Sequence, residues 1–425
     1  MINRAQAWPN ALTCSYAPRG RHLRRSRHRL PQRAAMAPVR KAESSSAPLP
    51  ISKFDNTVLV LQGGGALGAY QAGVFAGLSE AGIVPNWIAG VSIGAINAAL
   101  IAGNPPGRGV ERLREFWERT SAWSAFMPPA AFDPLRPVFN LYSAASALAF
   151  GIPGFFAPRM PAPYMVAEGS IAALSFYDTE PLRATLNELV DFEMINRKAV
   201  RVSLGAVNIC SGESVYFDNT KMALGPEHVM ASGALPPGFP PVNVGGEWYW
   251  DGGISSNTPL WYVVDEAYRE SALVLQVDVF SGAGGLPQNL RQVQERMKDL
   301  QYASKTRFNA SRFREMEELR ASLRRVLDKL PKDAHADPDV ERLAAVSTRG
   351  EVALMRFTNH HNTRSSDFKD FEFSRATVME LWEGGLGDVR RAIATQAWQK
   401  SVELAQGIHV CDVTPMNPVP EERAR

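Results

Sequence analysis

No run of about 20 consecutive apolar residues occurs in this chain, so nothing in it reads as a membrane-spanning helix. Cysteine is nearly absent: Cys14, Cys210 and Cys411 are the only three in 425 residues. They stand too far apart for a zinc knuckle and are too few for a disulfide framework, which fits a reducing compartment. Net charge is small at +3 and unevenly placed. Residues 1 to 50 hold ten Lys and Arg against one acid, Glu43, so that segment carries +9 and the other 375 residues −6. The excess of basic charge therefore belongs to a tail, and nucleic acid is not an expected partner of the folded part. The tail, with RGRHLRRSRHRLPQR at its centre, also lacks the apolar stretch of a secretory signal. An organellar transit peptide, a nucleic-acid-binding arm, a disordered extension, or translation from before a true start at Met36 each account for it. We expect residues 1–50 to stand apart from the fold as a disordered basic extension.

What is present is 45% hydrophobic composition, enough for a large core, and glycine and proline in quantity. From Asn56 the pattern alternates. TVLVLQ reads as a strand covered on both faces, GGGALG as a loop and AYQAGVFAGLSEAG as a helix. NWIAGVS then reads as a strand and IGAINAALIAG as a small-residue helix packed on a sheet. Alternation of this kind implies a parallel sheet with crossover helices. Between 104 and 175 the periodicity fails amid Pro and aromatic residues, a passage read either as a cap over a site or as an ordinary hydrophobic insertion. Phe126, Phe155, Phe156 and Met160 are its expected contact residues. Further strands are expected in VRVSLGAVNI, SGESVYFDNT, GGEWYWDGG, ALVLQVDVF and EVALMRF, with helices in TEPLRATLNELV, EHVMASGAL and SNTPLWYVVDEAYR. Residues 286–330 read as helix. A last helical segment, EFSRATVMELWEGGLGDVRRAIATQAWQ, is expected to break at Gly384 and Gly385.

Chemistry concentrates at Gly90-Val91-Ser92-Ile93-Gly94, a G-x-S-x-G turn between a strand and a helix. Such a turn lifts a serine hydroxyl from the strand end and aims a helix N-terminus at whatever the serine attacks. Gly63, Gly64 and Gly65 follow a neighbouring strand and are candidate oxyanion donors, since glycine lets N–H groups face a ligand. Gly63, Gly65 and Gly68 also satisfy the dinucleotide fingerprint, but the acid expected about 20 residues later is replaced by Ala89, Gly90 and Val91. Two partners for Ser92 stay open. His360 and His361, after a strand, would complete a Ser-His-Asp triad, whereas Asp251 in WYWDGG sits where partial desolvation would make its carboxylate a base. His228, on a helix, reads as structural.

GGGALG, GVSIG, ASGALPPGFPP and DGGISSNTP, in this order, resemble the patatin-like phospholipase family over residues 56 to 282. The resemblance implies a three-layer α/β/α sandwich around a mainly parallel sheet and a serine–aspartate dyad without histidine. Carried over, it makes Ser92 the nucleophile, Asp251 the base and Gly63, Gly64 and Gly65 the oxyanion loop. Gly68, Gly90, Gly94, Gly252 and Gly253 support these motifs, and Asn257 and Pro259 match the positions after DGG. Leu67 stands where many members carry Arg or Lys. Residues 290 to 400 resemble a C-terminal extension of a bacterial subgroup. The expected organisation is thus a catalytic domain over 55–285, with 104–175 inserted as a lid, and a mostly helical extension over 286–410. The implied activity is hydrolysis of lipid carboxylic esters, with no metal or cofactor. The expected setting is cytoplasmic with transient peripheral contact at a membrane, and a non-catalytic lipid- or protein-binding module on the same fold is the alternative from another class.

Overall fold

Strand β1 (Asn56–Leu61) shows how the chain builds its layers. Its side chains alternate between two separate cores, Leu59 and Leu61 facing one and Val58 and Val60 the other. Both faces are buried, as the unbroken apolar run requires, so helices must cover the sheet on each side. The structure, a computed structural model, describes residues 53–121, 135–267, 270–304, 306–347, 350–361, 369–395 and 408–414. The chain divides into Met1–Pro48 and Leu49–Arg425, and all described residues belong to the second unit. The tail over 1–50, with Cys14 and Met36, and Phe126, an expected contact residue of the passage 104–175, lie outside the described residues.

After β1 come α1 (Gly68–Glu80), β2 (Trp87–Val91), α2 (Ile93–Ala102), α3 (Gly109–Thr120) and α4 (Arg136–Phe150). A short hairpin of β3 (Ala157–Pro158) and β4 (Tyr177–Asp178) leads to α5 (Glu180–Leu189), α6 (Phe192–Asn196) and β5 (Arg201–Asn208). Then follow β6 (Ser214–Asp218), α7 (Pro226–Ser232), β7 (Val242–Val244), β8 (Glu247–Asp251), α8 (Leu260–Glu266) and β9 (Ala272–Asp278). The chain continues through α9 (Leu290–Tyr302), α10 (Thr306–Leu327), α11 (Pro338–Ser347), β10 (Val352–Thr358), α12 (Arg375–Ala394) and β11 (Ile408–Asp412).

Among the described residues the main sheet has nine strands in the order β11-β10-β9-β1-β2-β5-β8-β7, with β6 also on β5. The pairs from β11 to β5 are parallel, and those made by β6, β7 and β8 are antiparallel. The protein is thus an α/β fold on a mainly parallel sheet, as its alternating pattern indicates. The main core joins one sheet face to α1, α2 and α12, while Leu260, Val263 and Val264 of α8 cover the other.

Three expectations need correction. The passage 104–175 is not without periodicity, because α3 buries Leu113, Phe116, Trp117 and Thr120 along one stripe. Its Arg and Glu residues face outward and mask that stripe in the sequence. Beyond 286 the strand expected in EVALMRF is β10, which joins the central sheet beside β9, and the unexpected strand is β11, which extends that sheet past β10. Finally, α12 runs unbroken through Gly384 and Gly385. Gly385 is there for packing, since a Cβ on it would lie 2.2 Å from Tyr70 O, and one on Gly73 would lie 2.0 Å from Trp382 O. Helices α1 and α12 therefore touch backbone to backbone.

Candidate active site

Ser92 leaves the end of β2 at φ 57° and ψ −124°, a conformation disfavoured for any residue with a Cβ. The turn is held by close approach. A Cβ on Gly90 would lie 2.3 Å from Gly94 O, and one on Gly94 would lie 2.4 Å from Leu61 O. The Ser92 N–H is tied to Ser232, whose carbonyl and Oγ each lie 3.1 Å away, and Ser232 Oγ donates in turn to Gly205 O at 2.6 Å. What points outward is the hydroxyl side, at the N-terminus of α2.

The sheet brings Asp251 to the same point. One edge of β5 pairs with β6 through Ser203 to Val207, so β2 and β8 must share the other edge. There β2 runs parallel to β5 and ends with Val91 opposite Gly205, while β8 runs antiparallel and ends with Asp251 opposite Ala206. The two strands meet end to end at adjacent registers, and their next residues turn off the sheet together. This is how two residues some 160 positions apart in sequence come to one cavity.

Ser92, Asp251, Gly63, Gly64, Gly65 and Gly253 all line that cavity, of which about 170 Å³ is open to the centre of a water molecule. Its remaining wall is largely apolar, with Ile96, Phe155, Phe156, Tyr177, Phe239 and Phe373 prominent. Asp251 is 1% exposed. One carboxylate oxygen, Oδ1, accepts the Gly253 N–H at 2.7 Å, while Oδ2 is buried without an ordinary hydrogen bond. Burial pushes this carboxyl up to about 7, and the Ser92 hydroxyl and the Gly253 N–H only partly offset it.

Gly63 does not match its expected role. Its N–H donates to Asn257 O at 3.1 Å, whereas among the described residues nothing takes the N–H of Gly64 or Gly65. The available donors are therefore Gly64 and Gly65, and Gly63 serves close packing, a Cβ there lying 3.1 Å from Ser92 Cβ. Gly68 and Gly252 brace the turns from outside the cavity, and Leu67 is fully buried in the core. Pro259 is the N-cap of α8.

The histidines lie elsewhere. His361 Nε2 is 3.0 Å from Asp388 Oδ2, which also accepts from Tyr70 Oη at 2.7 Å. Neither His360 nor His361 lines the cavity. His228 is buried in α7 with Nδ1 accepting from Gly225 N–H, a structural role. Among the described residues no group of three or more His, Cys, Asp or Glu is placed to hold a metal, and no helix is long and apolar enough to cross a membrane.

Several site residues went unforeseen. Tyr302, Asp370, Phe371 and Phe373, from the C-terminal segment, line the cavity. Gln62 sits at its root, with Oε1 accepting from Val279 N–H and Phe280 N–H and Nε2 donating to Thr258 Oγ1 and Tyr302 O. A chain of amides then runs from Gln62 O through Gln71 to Asn97, which receives Trp117 Nε1. The one local signal was Gln62 itself, a polar residue ending an apolar strand.

A family model described as patatin-like phospholipase matches residues 59–264, and a second, described as patatin phospholipase, matches residues 300–404. Solved structures similar to the chain include VipD from Legionella pneumophila, 15% identical, covering 80% of this chain and 67% of that one at a TM-score of 0.35. Another is full-length SpcU in complex with full-length ExoU from the type III secretion system of Pseudomonas aeruginosa, 15% identical, covering 84% and 81% at a TM-score of 0.28. No curated protein matches.

Proposed function

We infer that this chain, which belongs to the patatin-like phospholipase family, is a serine acyl hydrolase that cleaves lipid carboxylic esters with a Ser92–Asp251 dyad. The observation that carries this is the end-to-end meeting of β2 and β8, which sets a strained serine and a buried carboxyl of raised pKa in one apolar cavity. A serine hydroxyl is a poor nucleophile until a base takes its proton. Asp251 accepts that proton as Ser92 Oγ bonds to the ester carbonyl carbon, and the oxygen that becomes negative is held by the N–H groups of Gly64 and Gly65. Collapse breaks the bond to the alcohol, which leaves with the proton from Asp251. Water then adds to the acyl-enzyme in the same way, its proton passing through Asp251 to Ser92, and the fatty acid departs.

A lipid substrate fits the apolar wall, and the surface around it fits a membrane. From Arg136 to Phe176 the chain carries only three charged residues, Arg136, Arg159 and Glu168. Met160, Tyr164 and Met165 are 91, 85 and 80% exposed there, beside the Phe155, Phe156 and Tyr177 that line the cavity. Exposed apolar side chains in such a patch favour contact with lipid.

The test is hydrolysis of a p-nitrophenyl ester and of phosphatidylcholine, with fluorophosphonate labelling. Ser92→Ala is expected to abolish turnover and labelling, and Asp251→Asn to cut turnover by several orders of magnitude. His360→Ala/His361→Ala is expected to leave both near wild type, whereas loss of turnover there would favour a triad. Full activity in Ser92→Ala would sink the dyad.

A further inference from the structure

Three consecutive glycines make a poor oxyanion hole unless something fixes them, because glycine loses more conformational freedom on ordering than any other residue. Donors contribute most when they are already in place before charge develops. In this chain the fixing comes from the C-terminal segment. Helix α9 ends at Tyr302, whose carbonyl accepts Gln62 Nε2 at 2.9 Å and Asn257 Nδ2 at 3.1 Å, and Asn257 Nδ2 also donates to Gly63 O at 3.0 Å. From the other side the turn at 369–373 meets the loop main chain to main chain. Asp370 O accepts the Ala66 N–H at 2.8 Å, and a Cβ on Gly65, which has φ +56°, would lie 2.2 Å from that oxygen.

The helix and the turn are themselves joined by crossed ion pairs. Adjacent Lys298 and Asp299 on α9 face adjacent Asp370 and Lys369 on the turn, with the signs exchanged. Lys298 Nζ lies 2.5 Å from Asp370 Oδ1, and Lys369 Nζ contacts Asp299 and lies 3.7 Å from Glu295. The two ammonium groups also lie over rings of the cavity wall, Lys298 Nζ 5.3 Å from the centre of the Phe371 ring and Lys369 Nζ 5.6 Å from that of Phe280. These side chains are mostly withdrawn from water, so removing one partner leaves a charge stranded.

The geometry points to Lys298 and Asp370, supported by Asp299 and Lys369, as positioning residues that lock the Gly64 and Gly65 N–H groups in place for the reacting carbonyl. This rests on the acyl-hydrolase reading of the cavity. Burial raises the Asp370 carboxyl, and the neighbouring Lys298 ammonium offsets this only in part. In effect, Tyr302, Lys369 and Asp370 in the segment matched by the second family model, with Lys298 and Asp299 just before it, finish a site whose nucleophile and acid lie in the first.

Two readouts test the proposal. The first needs no turnover: amide hydrogen exchange of the peptide containing Ala66, in the full-length protein. Lys298→Ala and Asp370→Asn are expected to speed exchange there at least tenfold while Lys298→Arg restores protection. The surface pair offers a control, and Arg390→Ala, which breaks a bidentate contact with Glu80, is expected to change nothing at Ala66. The second readout is p-nitrophenyl butyrate hydrolysis. The same variants are expected to lose tenfold or more in kcat with KM within threefold, and the Lys298→Ala/Asp370→Asn double variant to lose no more than threefold beyond the worse single one. If the folded variants keep both Ala66 protection and kcat within twofold of wild type, the positioning role is wrong. Should Ser92→Ala keep its activity instead, the hydrolase reading fails, and the exchange result still decides whether the clamp holds the loop.

Discussion

Replacing Asp251 by Asn should make this protein more stable and inactive at once, and by an amount that depends on pH. An Asp in the unfolded chain ionises near 3.8, while in the fold Asp251 holds its proton up to about 7. Between those values the folded state keeps a proton that the unfolded state has released, so folding loses stability as pH rises through that window. The rise is about three pH units, which corresponds to about 4 kcal/mol once pH exceeds 7 and to less than half of that at pH 5. Asn is nearly isosteric and cannot ionise, so the penalty disappears in the variant. For a folded unit of roughly 370 residues, about 4 kcal/mol moves the melting temperature by about 5 °C. Thermal melts of wild type and Asp251→Asn at pH 5 and pH 8 measure this directly: the variant's advantage should more than double between the two. The same proton governs turnover, since kcat/KM of the free enzyme should climb with pH through about 7 as the base ionises. A stability difference that is the same at both pH values, together with activity already at its plateau by pH 5, would refute a buried carboxyl of raised pKa.

Ser92 holds φ 57° where glycine would sit without strain, so Ser92→Gly should melt higher than the equally inactive Ser92→Ala, by about 1 kcal/mol net of glycine's own entropy cost. Equal melting temperatures would show that the turn stores no strain. Gly385→Ala should destabilise by about 3 kcal/mol or prevent folding, because its Cβ meets Tyr70 backbone, whereas Gly384→Ala meets the His361 side chain, which can shift at the expense of its contact with Asp388, and should cost about 1 kcal/mol. Chemical denaturation of both separates the cases. At the surface, Met160→Ser/Tyr164→Ser/Met165→Ser should weaken flotation with phosphatidylcholine vesicles while leaving hydrolysis of a soluble ester unchanged. Equal flotation would place membrane contact elsewhere.

How far the sequence could be read follows from the range over which each feature is encoded. Ser92 was legible because its requirements are local: Gly90 and Gly94 flank it within five residues, and an apolar strand and a small-residue helix bracket it. The sheet was legible for the same reason, since β1, β2, β5 and β9 are short apolar runs covered on both faces. Asp251 was only half legible. WYWDGG marks a desolvated acid, but its meeting with Ser92 depends on the registers of two strands on one edge of β5, which no local pattern records. Gly384 and Gly385 misled because a glycine pair weakens an isolated helix, while here Gly385 is fixed by what lies across from it, Tyr70 and Gly73 some 310 residues earlier.

The least legible part is the far wall of the cavity. Lys298 and Asp299 lie in a stretch legible only as helix, Lys369 and Asp370 lie just before the last helical segment with no motif around them, and only their crossed pairing gives the four a task. Charged residues carry no periodic signal that names a partner 70 positions away, and the backbone carbonyls of Tyr302 and Asp370 carry no side-chain signal at all. The glycines that can become donors are therefore written in the sequence, while the contacts that would hold them still are not. This division also predicts where variation should be tolerated. Lys298 and Asp370 exchanged together should be milder than either changed alone, whereas no second-site change should recover a Cβ at Gly65, where the obstacle is the backbone of Asp370.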